Sequence, residues 1–420
     1  MRTAVADGWI VFSLGLAAIG FMSGSVPLLA VGAMLFGTGA VARLWSRLSL
    51  EEVYYSRTLS ERRVFVGESV LATLIIENRK ILPVPWLEVL ETLPRAMPTT
   101  ARTQPGGGPG SHILERSTSL STNDRLEWPV TMMAQQRGYY RVGPTRLRSG
   151  DIFGFFEREE EVGRPVDGII VYPRTYTLPD LGVDSARPFG ERRGGNRIFE
   201  DPSRVIGVRD YMPGDPMKRI DWYATARTGR MQSRLYEPSR EQSILIALNI
   251  PTFEQTWHGS DPVLLERGVA VAASIARWAA EAGSALGLIA NGSFPNADRP
   301  IRVGTGHRPD RLNVVLEALA GVTAFTTSNL GHDLEDPQHP LPAGATIVVI
   351  AAVMPDDLAA SLLRLRGNGH YVAVVQTSHT VWPAELGPIP VHSIAAAAEL
   401  LEADADRAYS PEAAAVRFER

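Results

Sequence analysis

The sequence predicts a multidomain chain with an N-terminal transmembrane helical hairpin, a β-sandwich-like middle domain and a C-terminal doubly wound α/β domain. Three observations carry the prediction. No charged residue interrupts 8–42, period-two alternation recurs through 50–180, and beyond 243 apolar strand-like runs alternate with amphipathic helical ones. At 420 residues, with 45% apolar and 21% charged side chains, the chain has globular proportions and length for two or three cores. The expected division is a two-helix membrane anchor over 1–48, a β-rich domain over 49–180 and a basic linker with a signature segment over 181–242. An α/β domain over 243–405 and a tail over 406–420 complete it.

The first apolar run, 8–45, is nearly twice the roughly 20 residues that one bilayer crossing needs. Ser23, Gly24, Ser25, Val26 and Pro27 interrupt it, so two spans are expected, about 6–23 and 26–45. Arg43 and Arg47 follow the second span while the turn carries no charge, which places both ends and all later residues in the cytoplasm. Trp9 and Trp45 stand where interfacial aromatics belong. The competing reading is a signal peptide, with Arg2 ahead of the apolar stretch; the second apolar segment directly behind it argues against that.

In the middle domain, 69–77, 86–92, 126–135 and 139–148 read as strands of an antiparallel sandwich, and the glycine-rich stretch 106–110 as a loop tip. In the last domain, strands at 244–250, 285–291, 346–352 and 371–376 alternate with helices at 264–282, 310–320 and 355–366. That order implies a parallel sheet covered on both faces. A final helix is expected over 395–405.

Composition closes several chemistries. The chain has no cysteine, so there is no thiolate nucleophile, disulfide or cysteine-bound metal. Its eight histidines form no H-E-x-x-H pattern, and neither a G-x-S-x-G elbow nor a G-x-x-x-x-G-K-[ST] loop is present. A net charge of −4 gives no overall attraction to nucleic acid. Locally, 187–234 holds eleven Lys and Arg against six Asp and Glu, an excess of five. It suits anionic lipid, an acidic partner or a solvated, internally paired face.

Within that basic region, 208–227 is the most informative stretch. Pro213 and Gly214 suit a type II turn, Asp215 an N-cap and Pro216 the first helical position. Met217, Ile220 and Ala224 would then line the buried face of a short helix that Gly229 closes. Asp215 and Asp221 read either as an acid and base pair or as a cap and a helix carboxylate bound to Arg209, Arg219 or Arg227.

Arg209, Tyr211, Gly214, Asp215, Ile220, Asp221, Trp222, Ala226 and Arg227 form an R-x-Y-x-x-G-D…I-D-W…A-R pattern. It resembles the hallmark of the bacterial domain of unknown function 58 family. Upstream, Arg137, Gly138, Tyr140, Gly143 and Pro144, the stretch 150–156, and Val171, Tyr172 and Pro173 are similar to further elements of that family. The resemblance implies a C-terminal fold like von Willebrand factor type A domains. Those domains hold magnesium through an aspartate and two serines after the first strand. Here Asn249, Pro251 and Phe253 occupy the corresponding positions, and Ala351 and Ala352 stand where relatives carry Ser-Asp. Too few hard oxygens remain for that cation, so no metal and no cofactor is expected. Asp356, Asp357 and Thr305 are the remaining oxygen donors expected near the strand ends, and His307 reads as a polar loop residue.

The resemblance further implies association with MoxR-type AAA+ ATPases. The expected function is that of a membrane-anchored, cytoplasm-facing adaptor, held in lipid through 8–45 and without catalysis of its own. A hydrolase built on Asp215 and Asp221, and a purely structural envelope protein, are the rival readings.

Overall fold

The computed structural model describes residues 2–162, 166–183, 189, 200–238, 243–255, 259–295, 297–378, 382, 385–394 and 397. The chain splits into two compact units, one of Met1–Arg174 with Leu316–Gly321, the other of Thr175–Val315 with Val322–Ala398. The helix expected over 395–405, apart from residue 397, the loop 190–196 and the tail 406–420 lie outside the described residues.

The first unit opens with two helices, α1 (Arg2–Met22) and α2 (Val26–Ser49). Gly24 turns the chain between them at φ +68°, and Pro27 sits in the first turn of α2, where its missing N–H is harmless. They pack as an antiparallel pair through glycine. A Cβ on Gly20 would fall 2.5 Å from the Leu29 amide, and one on Gly32 2.5 Å from that of Ala17. Of the described helices only α2 is long and apolar enough to cross a membrane. The apolar part of α1, Ile10–Met22, covers about 20 Å at 1.5 Å per residue, short of a roughly 30 Å hydrocarbon core. The expected two spans therefore reduce to one helix of sufficient length with a shorter one packed on it.

Strands β1 (Val53–Leu59), β2 (Arg63–Phe65), β3 (Ser69–Asn78), β4 (Val84–Pro94), β5 (Thr103–Pro105) and β6 (Ser111–Leu120) follow. Then come β7 (Arg125–Met133), β8 (Gly138–Val142), β9 (Thr145–Gly150), β10 (Glu157–Val162) and β11 (Asp167–Tyr172). They form three sheets, ordered β1-β3-β7, β10-β9-β4-β6-β5 and β2-β11-β8. Val70, Ala72 and Leu74 of β3 alternate inward to meet Leu93, Leu114, Val130, Met132 and Ile169 in one core. The single strand expected over 139–148 is two strands in different sheets. Gly143 takes φ +102° and Pro144 has no N–H to continue a ladder. The β2–β11 pair is parallel, so the sandwich is not wholly antiparallel.

One polar network crosses this core. Arg57 on β1 and Glu91 on β4, 2% and 0% exposed, form an ion pair, and Arg57 also reaches Asp167 on β11 at 2.8 Å. The Tyr55 hydroxyl and Thr145 Oγ1 donate to Glu91 at 2.6 and 2.5 Å. A buried carboxylate with three donors, one of them a paired guanidinium, is a satisfied one.

The second unit begins with a hairpin of β12 (Glu200–Asp210) and β13 (Gln232–Pro238), with α3 (Trp222–Thr228) between them. The segment expected to be a linker is thus partly a two-stranded sheet. Next come β14 (Ser243–Leu248), α4 (Pro262–Glu281), β15 (Ala285–Ala290), β16 (Ile301–Gly306), α5 (Arg311–Ala320, of which Leu316–Ala320 counts with the first unit), α6 (Leu330–Leu334) and β17 (Thr346–Ala351). The last are α7 (Asp356–Gly367), β18 (Tyr371–Gln376), β19 (Glu385–Leu386) and β20 (Ile389–Ser393). The seven-stranded sheet runs β16-β15-β14-β17-β18-β20-β19. Its five inner strands are parallel, while β16 and β19 pair antiparallel at the edges, so the sheet is mixed. Leu245, Ala247, Ile347 and Val349 pack against Leu330 of α6 and Leu358, Leu362 and Leu365 of α7. The alternate residues turn to the face covered by α4.

Candidate functional site

The signature segment folds as a chain of local solutions. Tyr211 N donates to Met231 O at 2.9 Å, just beyond the Asp210–Gln232 pair where the hairpin's connecting segment begins. Gly214 then takes φ +107°, a conformation that disfavours a side chain. Asp215 is not a helix cap here. Its Oδ2 accepts from the Met212 amide at 3.1 Å and its Oδ1 from Arg209 Nη2 at 2.7 Å, closing the turn. A single 3₁₀ turn, Met217–Arg219, follows, and the helix starts six residues later than the sequence suggests.

Asp221 is the residue that caps α3. Its Oδ1 accepts from the Tyr223 and Ala224 amides at 3.1 and 3.0 Å, and its Oδ2 takes Arg234 Nε at 3.1 Å. Gly229, at φ +68°, closes the helix as expected. The cation on Asp221 is therefore Arg234, not Arg219 or Arg227, whereas Arg209 does pair with Asp215. Each aspartate is held below the usual carboxylate range, Asp215 first by Arg209 and Asp221 first by the Ala224 amide. Neither is poised to carry a proton near neutral pH, which is what an acid and base pair would require.

Two of the three residues of the expected buried face are buried. Ile220 and Ala224 are buried and Ile220 bridges to Ser233, but Met217 is 64% exposed. Met212, Trp222 and Tyr223 are exposed as well, Tyr223 by 81%. Among the described residues Lys218, Arg227 and Arg230 on the same segment make no ion pair. Sequence reasoning singled out Trp222 and Arg227 through the signature pattern but passed over Met212, Lys218, Tyr223 and Arg230 beside them.

At the carboxyl end of the mixed sheet, Leu248 pairs with Ala290, so Asn249 and Asn291 emerge side by side. Asn291 Nδ2 donates to Asn249 Oδ1 at 3.0 Å, Asn291 Oδ1 accepts from the Ile250 amide at 2.8 Å, and Asn249 Nδ2 donates to Val353 O at 3.2 Å. Both amides are spent on one another and on backbone. Pro251 brings no donor oxygen, and Phe253 is a partly exposed ring. Magnesium does not fit this set, and among the described residues no cluster of three or more His, Asp or Glu could hold a metal.

Asp357, at the start of α7, is held below its usual range by the Asn329 amide, and Asp356 lies beside it. Thr305 and His307 are at the other end of the sheet. Because β16 runs antiparallel, Gly306 pairs with Leu286 at the amino end of β15, so the expectation that Thr305 neighbours the strand crest fails.

An apolar helix pair, a β-sandwich and a mixed α/β sheet preceded by a capped hairpin define the class of this chain. Residues 207–405 match the family described as protein of unknown function DUF58. It is 24% identical over 271 residues, 63% of its length, to the uncharacterised protein YeaD of Bacillus subtilis (strain 168). It spans 62% of that relative. Among solved structures, the CARDB domain of a Pyrococcus furiosus protein overlaps 28% of this chain and 91% of its own, with 13% identity and a TM-score of 0.21. A cohesin module of a Clostridium perfringens glycoside hydrolase overlaps 28% and 97%, with 16% identity and a TM-score of 0.21. Overlaps this slight carry no argument about fold or function.

Proposed function

We propose that this chain is a membrane-anchored, cytoplasm-facing adaptor that presents its signature hairpin to a protein partner and performs no catalysis of its own. One observation carries the reading. Met212, Met217, Trp222 and Tyr223 project from a rigid turn and helix start, beside Lys218, Arg227 and Arg230, while the aspartates behind them are committed to holding that turn. Aromatic, methionine and arginine side chains are the types that dominate partner binding. In the family resemblance the partner is a MoxR-type AAA+ ATPase, which would supply the nucleotide chemistry that this sequence lacks.

The same reading takes the second unit as von Willebrand factor A-like, in support of which the first three strands of its seven-stranded sheet, β14, β15 and β16, lie in the order β16-β15-β14 with β16 reversed. It takes the amide pair Asn249 and Asn291 as the remnant of a metal site. Two apolar helices enter the bilayer, and Arg43 and Arg47 hold the later residues on the cytoplasmic side.

The test is crosslinked affinity purification of the full chain from its native membranes, with ATP and with a nonhydrolysable analogue, beside a Trp222→Ala/Tyr223→Ala variant. An AAA+ ATPase should be recovered in a nucleotide-dependent way by the parent and lost with the variant. Recovery of no ATPase in either nucleotide state overturns the adaptor reading.

A further inference from the structure

The loop 151–156, between β9 and β10, is an apolar finger without an assigned role. Ile152 and Phe153 are 59% and 58% exposed, and Phe155 is 45% exposed. Exposed rings at a loop tip cost solubility and mark a surface that meets something apolar. The finger is also rigid. The Asp151 carboxylate accepts from the Phe153 amide at 2.7 Å and the Phe156 amide at 2.6 Å, and Trp86 Nε1 donates to Asp151 O at 3.0 Å. Phe153 and Phe155 stack with centroids 5.8 Å apart. A Cβ on Gly150 would lie 2.2 Å from Phe156 O, so the loop closes only over glycine.

Its place relative to α2 is fixed within the same unit. Arg158, just beyond the finger, donates to Arg47 O at 2.7 Å, and Lys80 donates to Ser49 O at 2.7 Å, so the sandwich grips the last carbonyls of α2. Arg43 lies over the Phe156 ring at 5.8 Å. Arg43 precedes Ser49, the last residue of α2, by six positions, about 9 Å along the axis at 1.5 Å per residue. The finger therefore returns to the sheet beside the helix itself, level with residues whose apolar neighbours Val41 and Leu44 are exposed. At the same level a groove of about 240 Å³ is lined by Ile10, Phe36, Ala40 and Leu44, with Arg43 and Arg47. Apolar walls beside two guanidinium groups are what the headgroup and upper acyl region of an anionic leaflet matches.

We infer that the finger Ile152, Phe153 and Phe155 inserts into the same leaflet that α2 leaves, docking the sandwich on the lipid surface beside its anchor. This rests on the reading of α2 as a membrane span. Its occupant is the bilayer, not a protein, because the exposed rings adjoin the helix that is long and apolar enough to lie in lipid.

The absence of cysteine makes the test direct. Single-cysteine variants Phe153→Cys, Ile152→Cys, Met34→Cys in mid-α2 and Ser117→Cys on the exposed face of β6 would carry a nitroxide label. The full chain would be reconstituted in vesicles of phosphatidylcholine and phosphatidylglycerol. Collision with oxygen against a water-soluble nickel chelate reads immersion. The ratio at 152 and 153 should resemble that at 34 and exceed that at 117 several-fold. Water-like values at both 152 and 153 with a lipid-like value at 34 overturn the finger and leave the anchor standing. A water-like value at 34 overturns both.

Discussion

Replacing Glu91 by glutamine keeps the shape of the side chain and removes its charge from the centre of the sandwich. Glu91 is fully buried and accepts from Arg57, from the Tyr55 hydroxyl at 2.6 Å and from Thr145 at 2.5 Å. In Glu91→Gln one oxygen becomes an NH₂ that must face a guanidinium or a hydroxyl already donating. Breaking a buried ion pair by removing one partner costs about 3–5 kcal/mol. Arg57 keeps Asp167, with Nε at 3.0 Å and Nη2 at 2.8 Å, so the low end, about 3 kcal/mol, applies. In a unit the size of this one each kcal/mol moves the midpoint by about 2–4 °C, giving a fall of about 6–12 °C. Calorimetry of the full chain in nanodiscs reads it, with the two units treated as separate transitions. Removing the stranded cation as well, in Arg57→Met/Glu91→Gln, should recover part of the loss, so the double change costs less than the sum of the single ones. A fall of less than about 2 °C for Glu91→Gln would refute the claim that this network holds the sheets together.

Burial and the Glu91 carboxylate push the Tyr55 phenol well above its ordinary value. Its contribution is complete below about pH 10 and is lost as pH rises beyond, so Tyr55→Phe should flatten the alkaline unfolding profile there. The opposite sign holds for Asp215 and Asp221, whose values are lowered. Their contribution is present above the ordinary aspartate range and lost as pH falls through it, so the protection of the α3 amides relative to their intrinsic exchange rate should fall in acid, an acid dependence that Asp221→Ala would diminish. Asn249→Asp sets an oxygen against Val353 O in a buried place and should cost about 1–3 kcal/mol, measured by urea unfolding; restoration by magnesium would refute the amide-pair reading. Gly32→Val forces α1 and α2 apart, which an increased distance between spin labels on the two helices would report.

The sequence was most legible where a single period governs a segment. Alternation located β3 and β4, and strand and helix runs located β14, α4, β15, β17, α7 and β18 within a few residues. It failed where tertiary partners arbitrate between equal local options. Asp215 and Asp221 both satisfy the chemistry of a helix cap, and Arg209 claims one while the Tyr223 and Ala224 amides claim the other. The β12–β13 hairpin was missed because Val205, Val208 and Leu235 are exposed, so no inward alternation marks it. Thr305 was misplaced because nothing local reveals that β16 runs backwards. Asn249 was singled out from the resemblance, yet its partner Asn291 follows only from the register of two parallel strands.

The grip of Arg158 and Lys80 on the final carbonyls of α2 removes the swivel that a membrane protein ordinarily has where a helix meets its soluble domain. Helix tilt in a bilayer follows the mismatch between apolar length and membrane thickness. With the joint locked, a bilayer crossed by α2 would turn the sandwich as a lever with the helix, and a thinner or thicker one would reorient it without any ligand being bound.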